Sequence, residues 1–205
     1  MAASTAGLSA DDTRFLQEAA RAGTFEIQAS QTALQRAANP VVKEFARGMV
    51  AQHQEIDKSL KSLASSKHIA LPTRLDDARQ NTLSGLLQAD AANFDQRYVE
   101  RVAVAAHERA VKLFSDAAGQ SRDPEVKQFA SDTLAILRQH LAKAGIVAQA
   151  LQNGRDANDA EPGKKGLPPM YQDSSSPSAG ASGKQAGKPA HEPPPSSPAK
   201  DAESQ

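Results

Sequence analysis

The sequence predicts an all-α protein: a four-helix bundle with a short connecting helix and a disordered C-terminal tail. As far as about residue 151 the chain is alanine-rich, poor in glycine and proline, and free of the alternation typical of strands. Apolar residues recur at helical spacing along four long segments. Two of these segments start in matching motifs, "NPVVKEFA" and "DPEVKQFA", which indicates two similar helical hairpins.

The first predicted hairpin occupies the N-terminal third of the chain. Its first helix follows Ser9, whose spacing to Asp12 resembles a capping box. It ends near Asn39-Pro40, where Asn39 can cap the second helix and Pro40 can occupy the first turn without losing a hydrogen bond. The second helix is expected to end at about Ser66.

The second hairpin follows a connection from about residue 67 to 93. The stretch "LPTRLDD" predicts a short helix there, with Thr73 as its N-cap and Asp76 as the reciprocal partner of a capping box. The third long helix then leads to Asp123-Pro124, and the fourth runs from that turn to about Leu151. The connection is long enough either for a simple up-down bundle or for a crossover, so both topologies remain open.

Domain boundaries follow from composition. Residues 152–205 hold nine of the twelve prolines and a single aromatic, so this tail buries too little apolar surface to offset the entropy of ordering it. We predict a flexible N-terminus over 1–10, the bundle over 11–151 and a disordered tail over 152–205.

Charge and cysteine content exclude several classes of protein. Lys plus Arg and Asp plus Glu each total 24 without a basic block, which argues against nucleic-acid binding. The absence of cysteine excludes disulfides and thiolate sites. No apolar run is long enough to span a membrane, and the N-terminus as written has no signal-peptide pattern.

Three histidines lie on the apolar stripes of the predicted helices: His53 on the second, His107 on the third and His140 on the fourth. Glu26 lies beside the stripe of the first helix. Glu26 and His53 stand fourteen and thirteen residues from Pro40, and His107 and His140 seventeen and sixteen from Pro124. At 1.5 Å per residue all four are expected near mid-height of the bundle.

Two interpretations of this cluster remain open. Glu26, His53, His107 and His140 would suit one divalent transition metal ion, namely zinc, iron, nickel or copper, with Asp57 one turn after His53 as a further or supporting ligand. Alternatively, the histidines are neutral and hydrogen-bonded to partners such as Thr133, Ser30, Tyr98 or Glu26, and hold no metal.

The segments "FLQEAARAGTFEIQASQTAL", "NFDQRYVERVAVAAHERAVKLF" and "DPEVKQFASDTLAILRQHL" resemble the ferritin-like bacterial family known as domain of unknown function 4142, often labelled putative exported or outer-membrane proteins. The resemblance implies a ferritin-like bundle and a periplasmic or envelope location, but no activity. The chain departs from di-iron ferritin-like proteins, which use Glu-x-x-His pairs. Here the residues three positions before the histidines are Val50, Val104 and Leu137 instead of glutamate.

The residues favour a non-enzymatic bundle with a mid-bundle metal site, and the resemblance implies that it is exported to the bacterial envelope. The alternative is a structural or protein-interaction bundle with a hydrogen-bonded polar core. An enzyme is the weakest hypothesis, because there is no phosphate-binding loop, no nucleophile elbow and no cysteine. A protein partner in the envelope is expected, whereas the missing signal pattern would favour a cytoplasmic location.

Overall fold

The computed structural model describes residues 8–153, which form helices and no strand. In chain order the helices are α1 (Ala10–Arg36), α2 (Pro40–Ser66), α3 (Asp77–Leu87), α4 (Ala91–Tyr98), a π-helical segment (Val99–Val104), α5 (Ala105–Gln120) and α6 (Pro124–Gln152). The predicted all-α bundle is confirmed. The flexible N-terminus and the disordered tail stay predictions, because residues 1–7 and 154–205 lie outside the described range.

Side-chain caps begin the long helices where the sequence predicts them. Ser9 Oγ accepts a hydrogen bond from the Asp12 amide at 3.0 Å. Asn39 and Asp123 cap α2 and α6 in the same way, and each is followed by a proline in the first turn. Their oxygens satisfy amides that have no partner within the helix.

The predicted cap of the short helix was wrong. Asp76, rather than Thr73, is the N-cap of α3, and its carboxylate accepts from the Arg79 amide at 2.9 Å. Aspartate is at least as good an acceptor at this position as threonine. Asp76 also forms an ion pair with the Arg79 side chain, so the acidic cap has a second stabilising contact.

The helices pack with a crossover, which resolves the two topologies left open by the sequence. Phe15 near the start of α1 contacts Phe114 near the end of α5, with ring centroids 5.1 Å apart. At the other end of α1, Ser30 Oγ lies 2.9 Å from the Tyr98 hydroxyl. The first and third long helices are therefore antiparallel neighbours, as in ferritin-like bundles.

The connection between α2 and α4 runs back along α1. Arg79 of α3 forms an ion pair with Glu18, in the first half of α1. Further on, Arg36 at the end of α1 donates to the Leu86 carbonyl at 3.2 Å. This return path allows α4 to start beside the α1–α2 turn. There the Asp95 carboxylate accepts a hydrogen bond from the backbone N–H of Asn39 at 2.7 Å.

The core consists of two apolar clusters with a polar layer between them. One cluster lies toward the α1–α2 turn and includes Phe25, Phe45, Met49, Phe94, Tyr98 and Val147. The other lies toward the α5–α6 turn and includes Phe15, Leu16, Leu60, Phe114, Val126 and Leu137. Among residues 8–153, no helix is both long and apolar enough to cross a membrane.

The third long helix changes pitch just before His107. Beside a row formed by Asp95, Val99, Ala103 and His107, it buries a second row that recurs at every fourth position rather than in alternating steps of three and four: Phe94, Tyr98, Val102, Ala106, Ala110 and Phe114. In a regular α-helix of 3.6 residues per turn this row would drift away from the core. The π-helical segment has wider turns and keeps the row, and with it His107, facing inward.

Candidate metal centre

The polar layer brings together the four side chains that the sequence predicted at mid-height. Glu26 and His53 are 2% exposed, and His107 and His140 are 1% exposed. One ring nitrogen from each histidine lies within 4.8 Å of those of the other two. The candidate residues thus converge from four different helices, although their role as metal ligands stays a prediction.

Each imidazole has one nitrogen that contacts a partner outside the histidine group. The Nδ1 of His53 lies 3.1 Å from Glu26 Oε2, and the Nδ1 of His107 lies 3.2 Å from the Val102 carbonyl oxygen in the π-helical segment. The Nε2 of His140 lies 2.5 Å from Gln52 Oε1. All three partners are acceptors, so each of these nitrogens carries the hydrogen of a neutral imidazole.

The remaining nitrogen of each ring must then carry a lone pair. The Nε2 atoms of His53 and His107 face each other at 3.3 Å, and His140 Nδ1 is buried without a hydrogen-bond partner. Two lone pairs at that distance repel, and an unpartnered buried nitrogen is costly. A cation among the three nitrogens would relieve both defects.

The distances fit a small metal ion. Two nitrogens that are each about 2.05 Å from one ion lie about 3.3 Å apart at a tetrahedral angle. The His53–His107 separation of 3.3 Å has this value already, and a His140 nitrogen within 4.8 Å of both would move closer to close the third corner. Glu26 contacts the opposite side of the His53 ring, which is the position of a carboxylate that orients a metal-binding histidine.

Burial keeps two of the imidazoles neutral. It lowers the pKa of His53 to about 4, although the Glu26 carboxylate acts in the opposite direction. Burial, followed by the neighbouring His107 and Lys143, lowers the pKa of His140 to about 3. Both rings therefore keep a lone pair for coordination well below neutral pH.

Asp57 was predicted near the site and Gln52 was not, and the structure gives both a definite position. Asp57 is not part of the histidine group, and its carboxylate forms an ion pair with Lys61 at 2.6 Å. Gln52, which contacts His140, was not predicted as a site residue. It is exposed on α2, and nothing in an apolar periodicity marks an exposed polar residue as a partner of a buried one.

Comparisons with known proteins agree with this architecture. A family model described as "Domain of unknown function (DUF4142)" matches residues 1–146. A fragment of a DUF305 protein from Deinococcus radiodurans is similar in structure, with a TM-score of 0.61, 13% identity, and coverage of 70% of this chain and 99% of that one. CopM in its Cu(I)-bound form gives a TM-score of 0.57, 23% identity, and coverage of 70% and 96%. No curated protein matches the chain. At these identities the two structures support the fold alone.

Proposed function

The chain belongs to the DUF4142 family, as its sequence motifs indicated, and we propose from the site itself that it binds one transition metal ion. The family description, a domain of unknown function, assigns no role. The ligands are His53, His107 and His140, and Glu26 is the hydrogen-bond partner that orients His53. The observation that carries the proposal is the set of three buried imidazoles whose outward nitrogens have acceptors and whose inward nitrogens do not.

Copper(I) is the ion that best matches the charge of the layer. Within residues 8–153, Glu26 is the one acidic side chain that forms an ion pair with the histidines, and the whole group is buried. A monovalent ion and one carboxylate sum to zero, whereas a divalent ion would leave a net positive charge in a region of low dielectric, which is costly. The similarity to a protein solved in a Cu(I)-bound form supports the same choice. Zinc is the main competitor, since three histidines also suit that ion.

The binding experiment uses the full chain, without a histidine tag and stripped of metal. Titration with Cu(I), under anaerobic conditions and against a competing chelator, should give one ion per chain. His53→Ala, His107→Ala and His140→Ala should each weaken binding by more than about a hundredfold, and Glu26→Gln by about tenfold or more. A parallel titration with Zn(II) should show weaker binding.

His68→Asn is the matched control, because this exposed histidine lies outside the layer and asparagine tolerates its left-handed backbone, with φ of 56°. It should bind like the wild type. Equal weak binding by all variants would contradict the proposal and favour the structural bundle, in which hydrogen bonds such as His107 to Val102 merely satisfy the polar layer.

We further propose that the protein acts outside the cytoplasm, as a non-enzymatic metal carrier or buffer of the envelope. The support is the resemblance to a family whose members are often labelled putative exported proteins, and the similarity to a protein solved in a Cu(I)-bound form. Fractionation of cells that express the natural reading frame should recover the protein with the periplasm or envelope. Recovery in the cytosol alone would refute the location without affecting the metal site.

A further inference from the structure

Gln52 of α2 contacts His140 of α6 at the seam between these two helices. It immediately precedes His53 on α2, yet its own side chain is exposed. From there its amide oxygen reaches across to α6 and accepts from His140 Nε2 at 2.5 Å. An exposed side chain therefore covers the outward nitrogen of a ring that is itself 1% exposed.

His140 connects this cover with the interior. Its ring centroid lies 5.1 Å from that of His53 and 5.3 Å from that of His107. Its Nε2 contacts Gln52 at the seam, while its Nδ1 is buried without a partner. One ring thus spans the distance from an exposed side chain to the other two imidazoles.

The side-chain amide of Gln52 can move without disturbing the core. Exposed side chains change rotamer within picoseconds to nanoseconds, whereas the helices around the histidines pack tightly. Breaking one hydrogen bond at a partly solvated position has a small net cost, because water replaces the partner. When Gln52 turns away, His140 Nε2 loses its acceptor, so the ring hydrogen can move to Nδ1 and Nε2 becomes the first nitrogen ligand that an ion meets from solvent.

We propose that Gln52 is the gate of the metal centre and His140 its entry ligand. An ion reaches the layer through the α2–α6 seam when the Gln52 amide swings out, is bound first by His140, and is passed to His53 and His107. This inference rests on the proposed metal binding and adds its route and its rate-controlling residue.

A second path leads toward the same layer and is the rival route. A pocket of about 540 Å³ between α1, α3 and α5 is lined by Glu26, whose Oε1 is buried without a hydrogen-bond partner. However, Glu26 faces the Nδ1 atoms of His53 and His107 at 3.1 and 3.6 Å, which is the hydrogen-bearing side of the rings. Because Glu26 is buried, unlike Gln52, it stays in place as the acceptor for that hydrogen, and an ion from this pocket would have to pass the rings before it met a lone pair.

The test measures rates as well as affinity. Transfer of Cu(I) from its coloured bicinchoninate complex to the full chain is followed by stopped-flow absorbance, and release is followed with excess chelator. Gln52→Ala should raise the association and dissociation rate constants together by about tenfold, as expected when a gate is removed. Gln54→Ala and Gln139→Ala are matched controls, because both are exposed glutamines next to a site residue, and should leave the rates unchanged.

The rival route has its own variant. Ala22 lines the pocket that contains Glu26 and is half-buried, so Ala22→Leu should narrow that path and leave the rates unchanged if Gln52 is the gate. Slower uptake by Ala22→Leu with unchanged uptake by Gln52→Ala would overturn the inference in favour of the pocket. Faster release by Gln52→Ala without faster uptake would also overturn it, since a supporting hydrogen bond alone gives that result. If the wild type takes up no Cu(I), the proposed function fails as well, which distinguishes the two failures.

Discussion

Acidification of the metal-free protein from pH 7 to pH 5 should lower its free energy of unfolding by about 4 kcal/mol, or about 2 kcal/mol for each of two histidines. The cause is the depressed pKa of His53, about 4, and of His140, about 3. In the unfolded chain both rings regain a pKa near 6.5. Below that pH the unfolded state therefore binds protons that the folded state does not bind, and the equilibrium shifts toward unfolding. Urea unfolding at a series of pH values measures the effect.

The sign and range of this dependence follow from linkage. A histidine with a lowered folded-state pKa stabilises the fold above pH 6.5, and this contribution falls as the pH drops from 6.5 toward about 4 for His53 and about 3 for His140. His68→Asn should leave the slope unchanged. A stability that is flat between pH 7 and pH 5 would show that the two imidazoles are not held neutral by the fold. In the metal-bound protein, the free energy of unfolding should fall only at a lower pH, where protons compete with the metal for the ring nitrogens.

The second large effect concerns the pair formed by His53 and Glu26. Replacing His53 with leucine should cost about 3 kcal/mol at pH 7 in the metal-free protein, because it leaves a buried carboxylate without its donor. The contact of 3.1 Å between His53 Nδ1 and Glu26 Oε2 is the reason to expect this loss.

A double-mutant cycle isolates this contribution. Adding Glu26→Met to His53→Leu should recover most of the lost stability, since the unpaired carboxylate is then replaced by an apolar side chain of similar length. The single variant Glu26→Met completes the cycle, measured by urea unfolding at constant pH. Strictly additive changes would show that the two side chains do not stabilise each other.

The sequence could predict the helices and the height of the site because both depend on local periodicity. The motifs at Asn39-Pro40 and Asp123-Pro124 set two turns, and counting residues from them placed Glu26, His53, His107 and His140 in one layer. The predicted α2 ends at Ser66 in the structure as well. A rise of 1.5 Å per residue is accurate enough for such an argument over half a helix.

What the sequence could not predict depends on contacts between distant segments. The crossover is set by pairs such as Glu18 with Arg79, which are 61 residues apart. The contact of Gln52 with His140 joins two helices 88 residues apart and involves an exposed side chain. Neither pair leaves a periodic signal, so only the packed structure reveals them.

The π-helical segment makes the number of residues between Tyr98 and His107 a criterion for comparing this chain with its relatives. Tyr98 and His107 are nine residues apart, and in an unbroken α-helix they would point about 180° away from each other; here both are buried. A relative that lacked one residue between these two positions could keep both facing inward with an ordinary α-helix, but its backbone would no longer be wound to offer the Val102 carbonyl to the histidine. Loss or retention of that single residue therefore distinguishes relatives that hold this imidazole in a fixed tautomer from relatives that only bury it.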